Sequence, residues 1–270
     1  MKDIVLKVPR HLRRGHRAND ERVSIESGVK LIAHMCKHFG LADLGAIKLL
    51  DIGCGCKFTQ AILDNDLPIG EYVGVDVYAE MIAFLQSNVK DTRFSFYHMN
   101  THNEMYNQDG EPLTANTKLP LGNKQFDVIC LYSVFTHLAP PDYVAMLKLL
   151  RPYIKPDGRL LYTAFINEKT SGGLGYIDFY ARSFEAFEND ASAKQTQHLV
   201  EVLKKEGALA KAIENPAPPD FKDMVPTQPL KVAMYSRKHA LELVERTGWE
   251  VESLNEPAEE IQHYMVCKPV

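Results

Sequence analysis

The chain has no CxxC pair, no apolar run of membrane-spanning length, no internal repeat and no low-complexity tract. Its five cysteines, Cys36, Cys54, Cys56, Cys130 and Cys267, are odd in number and scattered, which excludes a disulfide framework and fits a reducing compartment. Cys54 and Cys56 form a CxC, but no second pair or nearby His pair completes a zinc set, so no metal is expected there. The start, MKDIVLKVPRHLRRGHR, is charged throughout and lacks the apolar stretch of a secretion signal. A soluble cytoplasmic protein is therefore expected, with no membrane span. Strong charge of either sign is also missing. At a formal net charge of -4 a polyanion is not the expected main partner, although residues 1–22 are richer in Lys and Arg than in acids.

What is present is an ordinary globular composition, 45% hydrophobic and 24% charged over 270 residues, enough for one large domain with an elaboration. Residues 1–46 read as a basic arm, with a turn near Gly15, followed by a helix over Val23–Phe39 that Gly40 is placed to stop. Ile47–Ile52 is the first strand, continuously apolar as parallel strands covered on both faces are. A helix over 59–65, a strand Tyr72–Val75, a helix Glu80–Val89 and a strand Arg93–His98 follow. Asn103–Lys124 is polar and rich in turn formers. Phe126–Leu131 is the fourth strand, a helix occupies Tyr143–Leu150, and a turn at Pro156-Asp157-Gly158 leads into a fifth strand, Arg159–Phe165.

This alternation predicts an α/β fold built on a doubly wound parallel sheet, with its core over 47–166. Asp51, Asp76, Asn100 and Ser133 fall at carboxyl ends of strands, where such sheets collect ligands. Residues 167–231 break the rhythm: aromatic early, helical over Thr196–Ile213 and proline-rich late. A segment this long reads as an inserted cap or, alternatively, a dimerisation insert, so a homodimer is one assembly it would serve. The core resumes over 232–270 with a helix Ser236–Gly248 and strands Trp249–Leu254 and Ile261–Cys267.

The segment KLLDIGCGCKF, residues 48–58, passes from strand through a Gly turn into a helix, which brings backbone N–H groups and a helix N-terminus to a ligand. It cannot supply GxxxxGK[ST], and the third glycine of GxGxxG is Phe58. It resembles the hh(D/E)xGxGxG signature of class I S-adenosylmethionine-dependent methyltransferases. Further blocks resemble that family in order: GVDVYAEM with Asp76 about 21 residues past the Gly turn, FDVICLYSVFTHL, LLRPYIKPDGRLLYTAF and YSRKHALELVERTGWEVESL. VPRHLRRGHR, FTHL and QHYMVCKP are similar to a small-molecule or glycan-type branch. The likeness covers most of 47–165 and 232–268 and omits the insert.

The resemblance implies a Rossmann-like, seven-stranded, mostly parallel sheet with the last strand antiparallel, and S-adenosyl-L-methionine as cofactor, leaving S-adenosyl-L-homocysteine. It places Asp51, Gly53, Cys54, Gly55, Asp76, Val77, Asn100, Thr101, Tyr132 and Ser133 at the cofactor, with Asp76 on the ribose hydroxyls and Asn100 near the adenine amine. It departs from the pattern at Lys57, which replaces the third motif glycine. The implied function is O-methylation of a small molecule, sugar or lipid-linked intermediate. His137 is the candidate base, with His102 and His16 behind it, and the rival role for His137 is to hold its loop by a hydrogen bond. Arg13, Arg14, Tyr176 and Tyr180 are candidate acceptor contacts. The alternatives are a cofactor-binding regulator or partner subunit without catalysis, a nucleotide-dependent oxidoreductase, and an RNA methyltransferase using the basic arm.

Overall fold

The computed structural model describes residues 3–13, 20–168, 220–224, 231–255 and 262–270. Helix α1 spans Glu21–Phe39. Its first turn is capped by the Asp20 carboxylate, which accepts from the N–H groups of Arg22 and Val23, and Gly40 ends it in the left-handed conformation at φ 64°. The described part of the arm folds back on the body. Leu6, Val8 and Leu12 are buried, the Val5 N–H donates to Asp64, and Gln60 donates to the Leu6 carbonyl.

The strands are β1 (Leu44–Ile52), β2 (Ile69–Asp76), β3 (Phe94–His98), β4 (Phe126–Leu131), β5 (Ile154–Ile166), β6 (Phe221–Asp223), β7 (Ala233–Tyr235), β8 (Trp249–Asn255) and β9 (His263–Pro269). Helices α2 (Lys57–Asn65), α3 (Ala79–Asn88), α4 (Pro140–Leu150) and α5 (Arg237–Glu242) connect them. The expected seven-stranded sheet is the path β3-β2-β1-β4-β5-β9-β8, parallel except for β9, which runs antiparallel to both β5 and β8. Beyond it, β7 pairs with Phe165 and Ile166 at the end of β5, and β6 pairs antiparallel with β7. The last described part of the 167–231 segment thus joins the sheet.

Alternation along β1 sends Leu50 and Ile52 into the core under α4, and Leu49 into the core under α1, α2 and α3. Both faces are dry, as parallel strands require. Several strands and helices start a few residues earlier than the sequence reading placed them, β1 at Leu44, β2 at Ile69 and α4 at Pro140 among them, and three further differences are structural. The Pro156-Asp157-Gly158 turn is absorbed into β5: Phe126 pairs with Ile154 and Val128 with Arg159, so the extra residues bulge within a continuous strand. Helix α2 begins at Lys57 rather than residue 59. Helix α5 stops at Glu242, and turns carry the chain through Gly248 at φ 86°. The expected helix over 196–213 lies outside the described residues. No described helix is long and apolar enough to cross a membrane.

Candidate active site

The carboxyl ends of β1, β2 and β4 meet at the Gly turn. Gly53 adopts φ 70° and Gly55 φ 45°, values a side chain strains to reach. A Cβ on Gly53 would lie 2.5 Å from Val134 Cγ2, so the loops after β1 and β4 touch only because residue 53 is glycine. A Cβ on Gly55 would meet nothing within 4 Å, so this residue opens onto a cavity of about 780 Å³. The N–H groups of Gly53 and Cys54 donate to the Val75 carbonyl, 2.7 and 3.2 Å away, tying the turn to β2.

Asp76 ends β2 in this cavity. One carboxylate oxygen accepts from the Gly55 N–H at 2.8 Å and the other from the Tyr78 N–H at 2.9 Å. Burial raises its pKa, while N–H donors from Gly55, Tyr78 and Val77 oppose the rise. Each oxygen retains a lone pair for a hydroxyl donor, so the group fits a vicinal diol such as a ribose. Asp51 is different. It faces the α1 side of the sheet, where the Tyr72 hydroxyl donates to it at 2.6 Å and the Cys130 thiol at 3.6 Å. Burial pushes its pKa up to about 7 against those donors. Asp51 reaches the cavity wall, yet its described hydrogen bonds brace β1 against β2 and β4.

After β3 the chain alternates. Met99 and Thr101 are buried and line the cavity, whereas Asn100 is exposed and accepts from the Asn107 amide at 3.1 Å. Asn100 therefore does not reach the cavity as the sequence suggested. Val77, Tyr132 and Ser133 do line it, as do Cys54 and Gly55. The Tyr132 hydroxyl donates to the Leu31 carbonyl and its ring lies 5.2 Å from that of Phe58. Ser133 sits at φ 57°, held there by its N–H bond to Thr163 Oγ1 at 2.8 Å, and its hydroxyl meets the Gln262 amide.

His137 closes the far end. It lies in a short 3-10 turn, Phe135–His137, between β4 and α4. Its Nδ1 is 2.5 Å from the Lys231 carbonyl, and since a carbonyl only accepts, Nδ1 carries the proton. Burial lowers its pKa, which the Lys231 carbonyl and the Asp223 charge partly offset, so the ring is neutral at pH 7. Nε2 then offers a lone pair. Lys231 Nζ pairs with Glu104 at 2.9 Å, and Asp142, whose pKa burial raises, also lines this end. His102 donates its Nδ1 proton to the Gln108 carbonyl on the rim. Arg13 borders the Gly turn, where it pairs with Glu21 at 2.8 Å and donates to the Val8 carbonyl. Arg14, His16, Tyr176 and Tyr180 lie outside the described residues. Among the described residues no group of three or more His, Cys, Asp or Glu is placed to hold a metal.

Residues 50–160 match a family model described as a methyltransferase domain. The chain carries a methyltransferase domain. Its architecture is that of the S-adenosylmethionine-dependent enzymes of class I, and solved structures of low identity share it. Magnesium protoporphyrin IX methyltransferase from Synechocystis PCC 6803, with S-adenosylhomocysteine bound, is 14% identical at TM-score 0.51, the match covering 98% of this chain and 91% of that one. The glycopeptide N-methyltransferase MtfA with sinefungin is 10% identical at TM-score 0.51, over 90% and 87%. The mitomycin 7-O-methyltransferase MmcR is 14% identical at TM-score 0.51; the match covers 92% of this chain but only about half, 54%, of that one.

Several residues of this methyltransferase site escaped the sequence reading. The rings of Tyr78 and Tyr106 meet in the cavity wall, centroids 5.6 Å apart and tilted by 36°. Gln262 and Lys231 arrive from the far end of the chain. Only Tyr78, two positions past Asp76, stood where the motif pointed.

Proposed function

We propose that this domain transfers the methyl group of S-adenosylmethionine to a hydroxyl oxygen of a small-molecule or glycan acceptor. The cofactor supplies a methyl activated by an adjacent sulfonium charge. The chain has to orient it, bring the acceptor oxygen in line and keep water out, which is catalysis by proximity and orientation. The open Gly55 face and the two carboxylate oxygens of Asp76 fit the cofactor in shape and hydrogen bonding.

One observation carries the oxygen assignment: His137 lines the cavity and gives its Nδ1 proton to the Lys231 carbonyl, which leaves Nε2 unprotonated as a proton acceptor. A neutral imidazole there suits removal of a hydroxyl or phenol proton as the bond to carbon forms. A histidine that only holds its loop by a hydrogen bond uses Nδ1 alone and leaves Nε2 over. We read residues 167–231 as a cap on this end, supported by Lys231 lining it. The five free thiols support a cytoplasmic setting. The RNA reading loses a contact, because Arg13 is engaged with Glu21 and the arm's own backbone.

The test is formation of S-adenosylhomocysteine from S-adenosylmethionine across a panel of phenols, alcohols, saccharides, amines and RNA. Turnover on hydroxyl acceptors supports the reading. Turnover confined to amines or RNA, or tight cofactor binding with no turnover on any member, overturns it.

A further inference from the structure

Lys231 touches the site twice. Its backbone carbonyl accepts the Nδ1 proton of His137 at 2.5 Å, and its ammonium pairs with Glu104 at 2.9 Å, beyond the buried Thr101 that lines the same cavity. The two contacts join segments 94 and 127 positions apart. The Val232 N–H next to it donates to Asp223 Oδ1, so the peptide that carries the carbonyl is fixed at its far end by β6 and β7. A ring whose Nδ1 must face a fixed carbonyl has one tautomer and one orientation, and its Nε2 direction follows from them.

We infer that Lys231 is a positioning residue: the Lys231–Glu104 ion pair holds the Lys231 carbonyl over His137 and thereby fixes the ring as the Nδ1–H tautomer with Nε2 aimed at the acceptor. This rests on the reading of His137 as the base. It goes beyond that reading by giving the base a holder, and it joins the end of the 167–231 segment to the chemistry through one residue.

The experiment is 15N NMR of histidine-labelled protein saturated with S-adenosylhomocysteine, the His137 signals assigned with His137→Gln. The parent is expected to show a protonated Nδ1 and an unprotonated Nε2. Glu104→Gln and Lys231→Met should each raise the Nε2–H tautomer at least fivefold, and the swap Glu104→Lys with Lys231→Glu should restore the parent spectrum. An Nε2–H ring in the parent, or a ring indifferent to both single variants with unchanged thermal midpoint, overturns the proposal. Turnover by His137→Gln, measured separately, decides the base reading without altering the tautomer result.

Discussion

Gly28 of α1 and Lys57 of α2 are in van der Waals contact: a Cβ on Gly28 would stand 2.8 Å from the Lys57 carbonyl oxygen and 3.1 Å from Lys57 Cγ. The close approach is to the backbone of the first residue of α2 and to Ala61 before it is to the Lys57 side chain, so Gly28 makes room for the helix itself.

Gly28→Ala is expected to cost about 1–3 kcal/mol, because the new methyl meets backbone oxygen and the Ala61 Cβ at 2.9 Å. Urea denaturation measures it. Lys57→Ala leaves the carbonyl in place and should cost less than about 1 kcal/mol. Equal losses would show that the Lys57 side chain, not the helix contact, is what matters.

Asp76→Ala removes the acceptor of the Gly55 and Tyr78 N–H groups and, with it, the proposed acceptor of both ribose hydroxyls. S-adenosylhomocysteine affinity should fall by at least about tenfold in calorimetry, the loss of one charge-assisted pairing. Unchanged affinity would remove the ribose assignment.

His137→Gln should lower turnover about 100-fold or more on a hydroxyl acceptor while S-adenosylhomocysteine affinity stays within about twofold. The direction of its pKa sets the pH profile. Burial first, against the Lys231 carbonyl and Asp223, holds the folded value below the usual 6.5. The neutral, competent form therefore predominates at pH 7, and kcat should be flat from there upward and decline only below about 6.5. A limb centred above pH 7 would exclude this ring as the titrating base.

Asp51 makes stability depend on pH. Its folded pKa of about 7 lies above the ordinary 3.8, so the native state binds more protons than the unfolded state between those values. Its contribution is fully present below pH 3.8 and is lost as pH rises through 7, a swing of roughly 4 kcal/mol at most. The thermal midpoint of Asp51→Asn should accordingly gain on the parent from pH 5 to pH 8. A gap that stays constant over that range would mean that Tyr72 and Cys130 keep the carboxylate ionised.

The strands, the Gly turn and Asp76 were legible because each is written locally: apolar runs make the parallel strands, and turn chemistry fixes Gly53 and Gly55. Local signals also misled. Pro156-Asp157-Gly158 reads as a turn, but pairing with β4 on both sides of it, at Ile154 and again from Arg159, keeps the strand continuous around a bulge. Asn100 has suitable chemistry in the right segment, yet the two-residue alternation points Met99 and Thr101 inward and leaves it outside. Gly28, Lys231 and Gln262 carry no local mark of their roles, since their partners lie far away in sequence.

Because β9 runs against its neighbours, its first residues arrive where the parallel strands end, and this carries Gln262 to Ser133 across 129 positions. The cofactor half closes over far shorter loops, such as the 21 positions between Gly55 and Asp76. Loop entropy alone separates these closures by roughly 1–2 kcal/mol. The two contacts thus differ in sequence separation, and the wall at Ser133 is the part that the segment entering the last strand completes.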